Sequence, residues 1–200
     1  MRVGLVGSRC LLLLILGGIP AGADQADAPA AFIQQLGDTA IRILESNTEI
    51  TGRKVAFERL FEKDFDLPAI GRFVLGRSWR TATVDQRRRF QDAFSQYVVA
   101  IYATRFSHYS GEQFRVLGSR MNDEATATVS SQIISASGAQ PIRIGWQVAR
   151  EGVAYKITDV SVESLSMAVT QRDEFTAVIE QDGGDIEGLI GLLERKATGG

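Results

Sequence analysis

Residues 113–162 decide the fold, and they read QFRVLGSRMNDEATATVSSQIISASGAQPIRIGWQVAREGVAYKITDVSV. β-Branched and aromatic residues dominate this stretch, apolar and polar positions alternate over much of it, and turn-forming pairs interrupt it. Connections this short join neighbouring strands in the antiparallel sense. The pattern predicts a meander of four consecutive antiparallel strands, over 113–121, 125–136, 141–150 and 153–162.

The alternation also assigns the side chains of this sheet to two faces. A polar row that runs from Thr126 to Gln132 lies on one face, and the large apolar residues lie on the other. The predicted apolar face consists of Phe114, Val116, Val129, Ile133, Ile144, Trp146, Val148, Tyr155 and Ile157.

Helical periodicity flanks the predicted sheet on both sides. Asp66 and Thr83 are expected to cap helices, and Gly76 is expected to end one. A helical layer packed on a curved four-stranded antiparallel sheet meander, an α+β fold, follows from this order of elements. Such an arrangement is either filled by its own side chains or encloses an apolar cavity. The predicted helices are 28–46, 53–63, the segment between Asp66 and Gly76, 84–107, 169–180 and 186–193.

The chain begins with a pattern that is typical of a secretory signal peptide. A positively charged start precedes an apolar run within 10–19, and the small residues Ala-Gly-Ala of 21–23 suit a signal peptidase. The apolar run of about 10 residues is too short to cross a bilayer, which takes about 20. We therefore predict cleavage after about Ala23 and a single mature domain over 24–200.

Composition excludes several classes of protein. Hydrophobic residues make up 44% of the chain and charged residues 23%, as in folded globular proteins. The net charge of −2 gives no electrostatic reason to expect nucleic-acid binding. One histidine and one cysteine, Cys10, exclude a disulfide framework and a Cys/His zinc cluster. Loss of Cys10 with the signal peptide leaves a cysteine-free chain, which suits the bacterial periplasm.

Candidate catalytic and metal-binding groups are sparse. His108 is the only imidazole, and no Gly-x-Ser-x-Gly nucleophile motif accompanies it. The acidic residues are scattered, and we interpret Asp182 and Asp185, with two glycines between them, as part of a turn that joins two helices. We predict no catalytic residue, no metal and no cofactor. An enzyme on a similar fold and a ligand-free assembly factor remain as alternatives.

Two segments resemble a known family. Residues 69–94 read AIGRFVLGRSWRTATVDQRRRFQDAF, and residues 166–175 read SMAVTQRDEF. With the apolar C-terminal helix, they resemble the MlaC family of periplasmic lipid-binding auxiliary proteins of ABC transport systems, also called toluene-tolerance proteins. The resemblance covers about 30–196, and Ser78 stands where the family pattern has an aromatic residue. The segment TQRDEF is most similar to the HpnM branch, which is associated with hopanoid biosynthesis loci.

The resemblance implies a lipid carrier. Such a protein binds the acyl chains of a phospholipid in the periplasm. It moves the lipid between an outer-membrane lipoprotein complex and an inner-membrane MCE-domain ABC transporter complex, a process connected with outer-membrane lipid asymmetry. The likeness to the HpnM branch keeps a hopanoid ligand open as an alternative.

We expect the lipid cavity between the apolar sheet face and a stripe of helical residues. The alternative is that these side chains fill one another as an ordinary core. Trp146 is expected on the inward sheet face, and Trp79 is expected to anchor the angle between two helices. The predicted cavity-lining residues are the nine of the sheet face together with Phe73, Phe94, Tyr97, Val98, Ile101 and Tyr102.

Charge is distributed unevenly along the chain. Residues 52–120 hold 13 basic and 7 acidic side chains, whereas residues 121–200 hold 6 and 12. Such a separation orients a protein as it approaches a complementary partner. We predict that Arg87, Arg88 and Arg89 dock a partner, because three consecutive residues fan around a helix and cannot all face one headgroup. A solvated helix face is the alternative.

Overall fold

The structure is a computed structural model that describes residues 21–46, 49–106, 111–135 and 137–198. His108 and residues 1–20, which form most of the predicted signal peptide, lie outside the described residues. The elements in chain order are α1 (Ala21–Glu45), α2 (Ile50–Asp64), α3 (Leu67–Leu75), α4 (Ser78–Thr81), α5 (Val84–Phe106), β1 (Gln113–Met121), β2 (Thr126–Ile134), β3 (Ile142–Glu151), β4 (Ala154–Val162), β5 (Leu165–Ser166), α6 (Met167–Gln181) and α7 (Glu187–Ala197).

The described elements follow the predicted order of helices, sheet and helices, which confirms the α+β fold. The sheet order is β1-β2-β3-β4-β5, and every neighbouring pair is antiparallel. The predicted four-stranded sheet omits β5, whose residues pair with Ser161 and Val162. A strand of two residues is too short for alternation to reveal it in the sequence.

The register places all nine residues of the predicted apolar face on one side of the sheet. Phe114 pairs with Ile133, Val129 with Trp146, and Val148 with Ile157. A bulge in β1 and a second bulge in β4 each add one residue to a strand. The added residues switch the inward positions from even to odd numbers in β1 and from odd to even numbers in β4.

Helix α1 covers part of this apolar face. Ile33 is fully buried, and it clusters with Leu36 and with sheet residues such as Val129. Gly37 lets the helix approach β1 closely, because a methyl group at this position would overlap the ring of Phe114. The side chains of α1 and the sheet therefore form one apolar cluster.

Helix α1 begins at Ala21, earlier than the predicted start at 28. The prediction treats residues 24–31 as a small, polar lead-in, because apolar residues at helical spacing start only at Phe32. Alanine is frequent in 21–28 and has the highest helix propensity. Pro29 consequently lies inside the helix, where its ring is fully buried.

A second apolar cluster lies among the helices α3, α5, α6 and α7. Phe90, Leu189 and Ile190 are fully buried in it. Phe175 of α6 packs edge-on against Phe90 and Phe94 of α5, with ring centroids 6.1 and 6.2 Å apart. Edge-to-face packing of this kind is favourable beyond the area that it buries.

Local capping fixes the start of α3, the end of α3 and the start of α5. The Asp66 side chain accepts a hydrogen bond from the Ala69 amide at 3.0 Å, as predicted, and Gly76 ends α3 with φ of 59°. Thr83 and Gln86 form a reciprocal capping box, with bonds of 3.2 and 3.0 Å. The short helix α4 between α3 and α5 was not predicted.

Candidate lipid-binding site

The predicted sheet residues lie together, but they are not equally buried. The predicted residues Val129, Val148 and Ile157, and Ala127, which was not predicted, have no more than 1% of their surface exposed. These four residues, which we call the closed end of the sheet face, pack against α1. Their side chains already fill the space around them, so this end has the character of an ordinary core.

The opposite end of the same face is only partly covered. Ile142 is 46% exposed, and its neighbours on this face are half-buried. Ile144, between them, is 8% exposed. An apolar surface that the chain itself does not fully cover is where an apolar ligand gains most from contact. We call this region the open end, and it consists of Phe114, Val116, Ile133, Ile142 and Val162.

One polar contact lies between the two ends. The indole Nε1 of Trp146 donates a hydrogen bond to the Ser131 hydroxyl at 2.9 Å. Ser131 is 1% exposed, so this bond satisfies a hydroxyl that would otherwise be costly to bury. The Trp146 ring also contacts Phe114 edge-on at 6.2 Å. Trp146 therefore lies on the inward face, as predicted, with its orientation fixed.

The predicted helical residues form a separate group. Phe94 and Tyr97 are 2% and 6% exposed, and both rings contact Phe175 of α6. Val98 and Ile101 pack against the same helical cluster. The structure thus brings the sheet residues together and the helical residues together, but it places most members of the two groups in different clusters.

The two clusters meet around Phe61 and Phe65. The Phe61 ring lies 4.6 Å from Phe65 and 5.4 Å from Tyr102, measured between centroids. Phe65 also packs against the sheet cluster, and the Asp66 amide donates to the Ile157 carbonyl at 2.9 Å. Among the predicted residues, Val98 and Tyr102 therefore lie at the junction of the two halves.

Comparison with known proteins identifies the family. The model of the family described as MlaC protein matches residues 34–195. The chain belongs to the MlaC family. The matched segment contains every residue predicted here for the cavity and for docking, and the resemblance of 69–94 and 166–175 to that family is confirmed.

Two characterised relatives are similar to this chain over most of its length. The intermembrane phospholipid transport system binding protein MlaC of Haemophilus influenzae is 21% identical over 179 residues, which are 86% of this chain and 83% of the relative. The toluene tolerance protein ttg2D of Pseudomonas putida is 22% identical over 186 residues, which are 90% of this chain and 86% of the relative.

A solved structure shares the fold. It is a phospholipid-binding protein from Ralstonia solanacearum, determined in complex with a phospholipid. The TM-score is 0.72 at 20% identity, and the similarity covers 84% of this chain and 96% of that one. The helical layer and antiparallel sheet described above are therefore the fold of that protein too.

The three arginines predicted for docking all have contacts within this MlaC-family chain. Arg87 donates to the Trp79 carbonyl at 2.8 Å and lies over its ring at 5.5 Å, which fits the anchoring role expected of that tryptophan. Arg88 pairs with Asp85 at 2.7 Å on its own helix. Arg89 pairs with Glu187 of α7 at 2.9 Å. The docking role of these arginines stays a prediction.

Phe73 lies apart from the other predicted cavity residues. It is 42% exposed on the side of α3 that faces away from the core, and the Arg172 guanidinium lies 5.2 Å above its ring. Arg172 follows Phe73 by about a hundred residues, so no local pattern could reveal this contact. On this side of α3 lies a pocket lined by Ala69, Arg72, Phe73, Gly76, Arg77, Trp79, Arg80 and Arg172.

One buried acid stands out beside the junction of the two clusters. Asp64 is 6% exposed at the end of α2, and burial raises the pKa of its carboxyl above the usual value. The charges of Lys63 and Lys156 oppose that rise in pKa, and the Lys63 ammonium lies 3.7 Å from the carboxylate. Lys156 ties β4 to α2 through the Lys63 carbonyl.

The described part of the chain has neither a cluster of metal ligands nor a helix suited to span a membrane. No group of three or more His, Cys, Asp or Glu side chains there is placed to hold a metal ion. None of the helices in 21–46, 49–106 and 137–198 is both long and apolar enough to cross a membrane.

Proposed function

We propose that this chain is a periplasmic carrier that binds a phospholipid and moves it between membrane complexes. The proposed donor and acceptor are an outer-membrane lipoprotein complex and an inner-membrane MCE-domain ABC transporter complex. The proposal assigns no catalytic residue. The observation that carries it is an apolar sheet face left partly uncovered, in a chain of the MlaC family.

The open end supplies the driving force for binding. Each methylene removed from water contributes about 0.8 kcal/mol, so acyl chains gain by lying on an apolar surface that the chain itself leaves half-covered. The names of a relative and of a solved structure with the same fold both refer to phospholipid, which supports this ligand class. We propose that acyl chains contact the open end and reach toward Tyr102 and Ile101.

The first experiment is native mass spectrometry of the mature protein after mild purification. The proposal expects a diacyl lipid to co-purify, and the released lipid is then identified by tandem mass spectrometry. A hopanoid in its place would support the alternative ligand. A protein that remains empty after incubation with phospholipid vesicles would contradict lipid carriage.

A variant at the open end tests the location. Ile133→Trp places an indole at a half-buried position on the inward face, and Ser130→Trp places the same side chain at an exposed position on the outward face of β2. We expect both variants to fold and only Ile133→Trp to carry less lipid. Val129→Trp, at the closed end, is expected to unfold through overpacking. A folded Ile133→Trp protein with a full lipid load would place the acyl chains elsewhere.

A further inference from the structure

An arginine-lined pocket of about 410 Å³ lies on the outer side of α3. The side chains that matter here are Arg72, Phe73, Arg77, Trp79, Arg80 and Arg172. The opposite side of α3, with Leu67, Val74 and Leu75, is buried in the core. The pocket therefore opens away from the sheet face, and it is distinct from the proposed lipid site.

The four guanidinium groups of this pocket have no anionic partner among the described residues. None of the ion pairs found there, within 4.0 Å, involves Arg72, Arg77, Arg80 or Arg172, and no acidic side chain lines the pocket. The neighbouring Arg88 and Arg89 differ, since both pair with carboxylates. Arg77 and Arg172 also border an adjoining pocket that Asp173 and Glu180 line, but neither acid forms an ion pair with them within 4.0 Å. The four arginines outnumber these two acids, so they create a positive potential that attracts an anion.

The local fold holds these groups in place. Gly76 makes the turn from α3 to α4 with φ of 59°, and a methyl group there would lie 3.1 Å from Nε of Arg172. The absence of a side chain at Gly76 thus lets Arg172 of α6 lie across the turn and over Phe73 at 5.2 Å. On the other wall, Arg87 binds the Trp79 carbonyl and stacks on its ring. Stacking orients a guanidinium and leaves its N–H donors free to bind.

The ligand chemistry follows from charge and size. We propose that this pocket binds the phosphate group of a phosphate ester, presented either by a lipid headgroup at a bilayer surface or by a soluble phosphate compound. The planar fork of a guanidinium matches two oxygens of one phosphate. Four arginines around one pocket suit a compact anion with several oxygens better than an extended acidic peptide, whose charges are spread out.

The test removes two charges from the pocket. The pocket variant carries both Arg72→Gln and Arg172→Gln. The control, which we call the sheet variant, carries both Arg115→Gln and Arg143→Gln. It removes the same charge from exposed positions on the outward face of the sheet. Binding of inorganic phosphate is followed by phosphorus NMR. Binding to vesicles of phosphatidylcholine, with and without phosphatidylglycerol, is followed by co-sedimentation.

We expect the pocket variant to bind its probe about tenfold more weakly for each guanidinium removed, and the sheet variant to bind like the wild type. Replacement of the same two arginines by lysine keeps the charge but loses the fork, and should restore only part of the affinity. Loss of both phosphate and vesicle binding supports the pocket for either source. Loss of vesicle binding alone assigns it to a headgroup, and loss of inorganic phosphate alone to a soluble compound.

Three results would overturn the proposal. Wild-type protein that binds neither probe has no phosphate site here. Equal weakening in both double variants would mean that only net charge matters. Binding of polyglutamate in the absence of binding to either phosphate probe would assign the pocket to an acidic protein segment. Lipid retention by native mass spectrometry is expected to be unchanged in both double variants, so this test fails or succeeds separately from the carrier function.

Discussion

The helical half and the sheet half of this molecule bury their apolar side chains in different ways. In the helical half, Phe90, Leu189, Ile190 and Leu193 are at most 1% exposed, and aromatic rings interlock around Phe175. In the sheet half, the closed end is buried to the same degree, whereas the open end is half-buried. A core that fills itself stabilises the fold, and an apolar surface that remains uncovered offers a place for a ligand.

The largest expected effect is a loss of stability caused by a substitution in the helical half. Phe175→Ala removes the ring that joins α5 to α6 and should lower the free energy of unfolding by about 3–5 kcal/mol. Ile133→Ala at the open end should cost less than half as much, because its surroundings are already partly open. Urea unfolding of the ligand-free proteins measures both. Equal losses of unfolding free energy at Phe175 and Ile133 would contradict the difference in packing between the two halves.

A smaller effect concerns the contact between α1 and the sheet. Gly37→Ala places a methyl group against the Phe114 ring, and overpacking of this kind costs about 1–3 kcal/mol. Phe114→Ala in the same molecule makes room for that methyl group, so the double variant should be more stable than the sum of the single changes predicts. A double-mutant cycle with no coupling energy would show that α1 does not pack here.

The arginines predicted for docking should contribute still less to the free energy of unfolding. The size of each contribution shows which arginine can be replaced to test docking without disturbing the fold. Arg89→Gln breaks the link to Glu187 of α7 and should cost about 0.2–1 kcal/mol, as expected for a partly exposed ion pair. Arg88→Gln breaks only contacts within α5 and should cost less. Arg88→Gln is therefore the cleaner test of docking, with lipid retention and lipid transfer to the transporter measured separately. Transfer at the wild-type rate would argue against docking by Arg88.

The smallest expected effect is the pH dependence that Asp64 introduces beside the junction. Burial raises the pKa of this carboxyl in the folded state, so the folded protein binds the proton more tightly than the unfolded chain does. The free energy of unfolding should then fall as the pH rises from the usual carboxyl range towards the raised pKa. Asp64→Asn should remove that decline, which urea midpoints across the acidic range would measure. An unchanged decline would assign it to other groups.

Alternation in the sequence predicts the sheet well, because it depends on local geometry. The inward position of Phe114, Val129 and Trp146 follows from the two-residue period of a strand. Inward residues beyond a bulge, such as Met121 and Val160, are missed because the added residue reverses the alternation. The resemblance to the MlaC family can also be recognised from the sequence, because each of the two segments that carry it is contiguous in the chain.

Partners across long sequence separations are harder to predict. Helical periodicity correctly marks Phe94 and Tyr97 as buried, but it does not say which element covers them, and α6 rather than the sheet provides the contact with Phe175. Arg172 reaches Phe73 only because α6 returns alongside α3. Charge counts along the chain indicate the basic segment, yet only the structure separates paired from unpaired arginines.

The two bulges bear on how relatives of this chain are to be aligned. Leu117 and Thr158 are the added residues, and the inward positions after them include Met121 in β1 and Val162 in β4. When a relative lacks one of these residues, the alignment has to open a gap at that bulge. Only then do the inward residues of the two proteins match each other. At about one-fifth identity, a gap placed elsewhere exchanges inward for outward positions across half a strand. Inward-facing positions can be compared across the family only in alignments that match at these two residues.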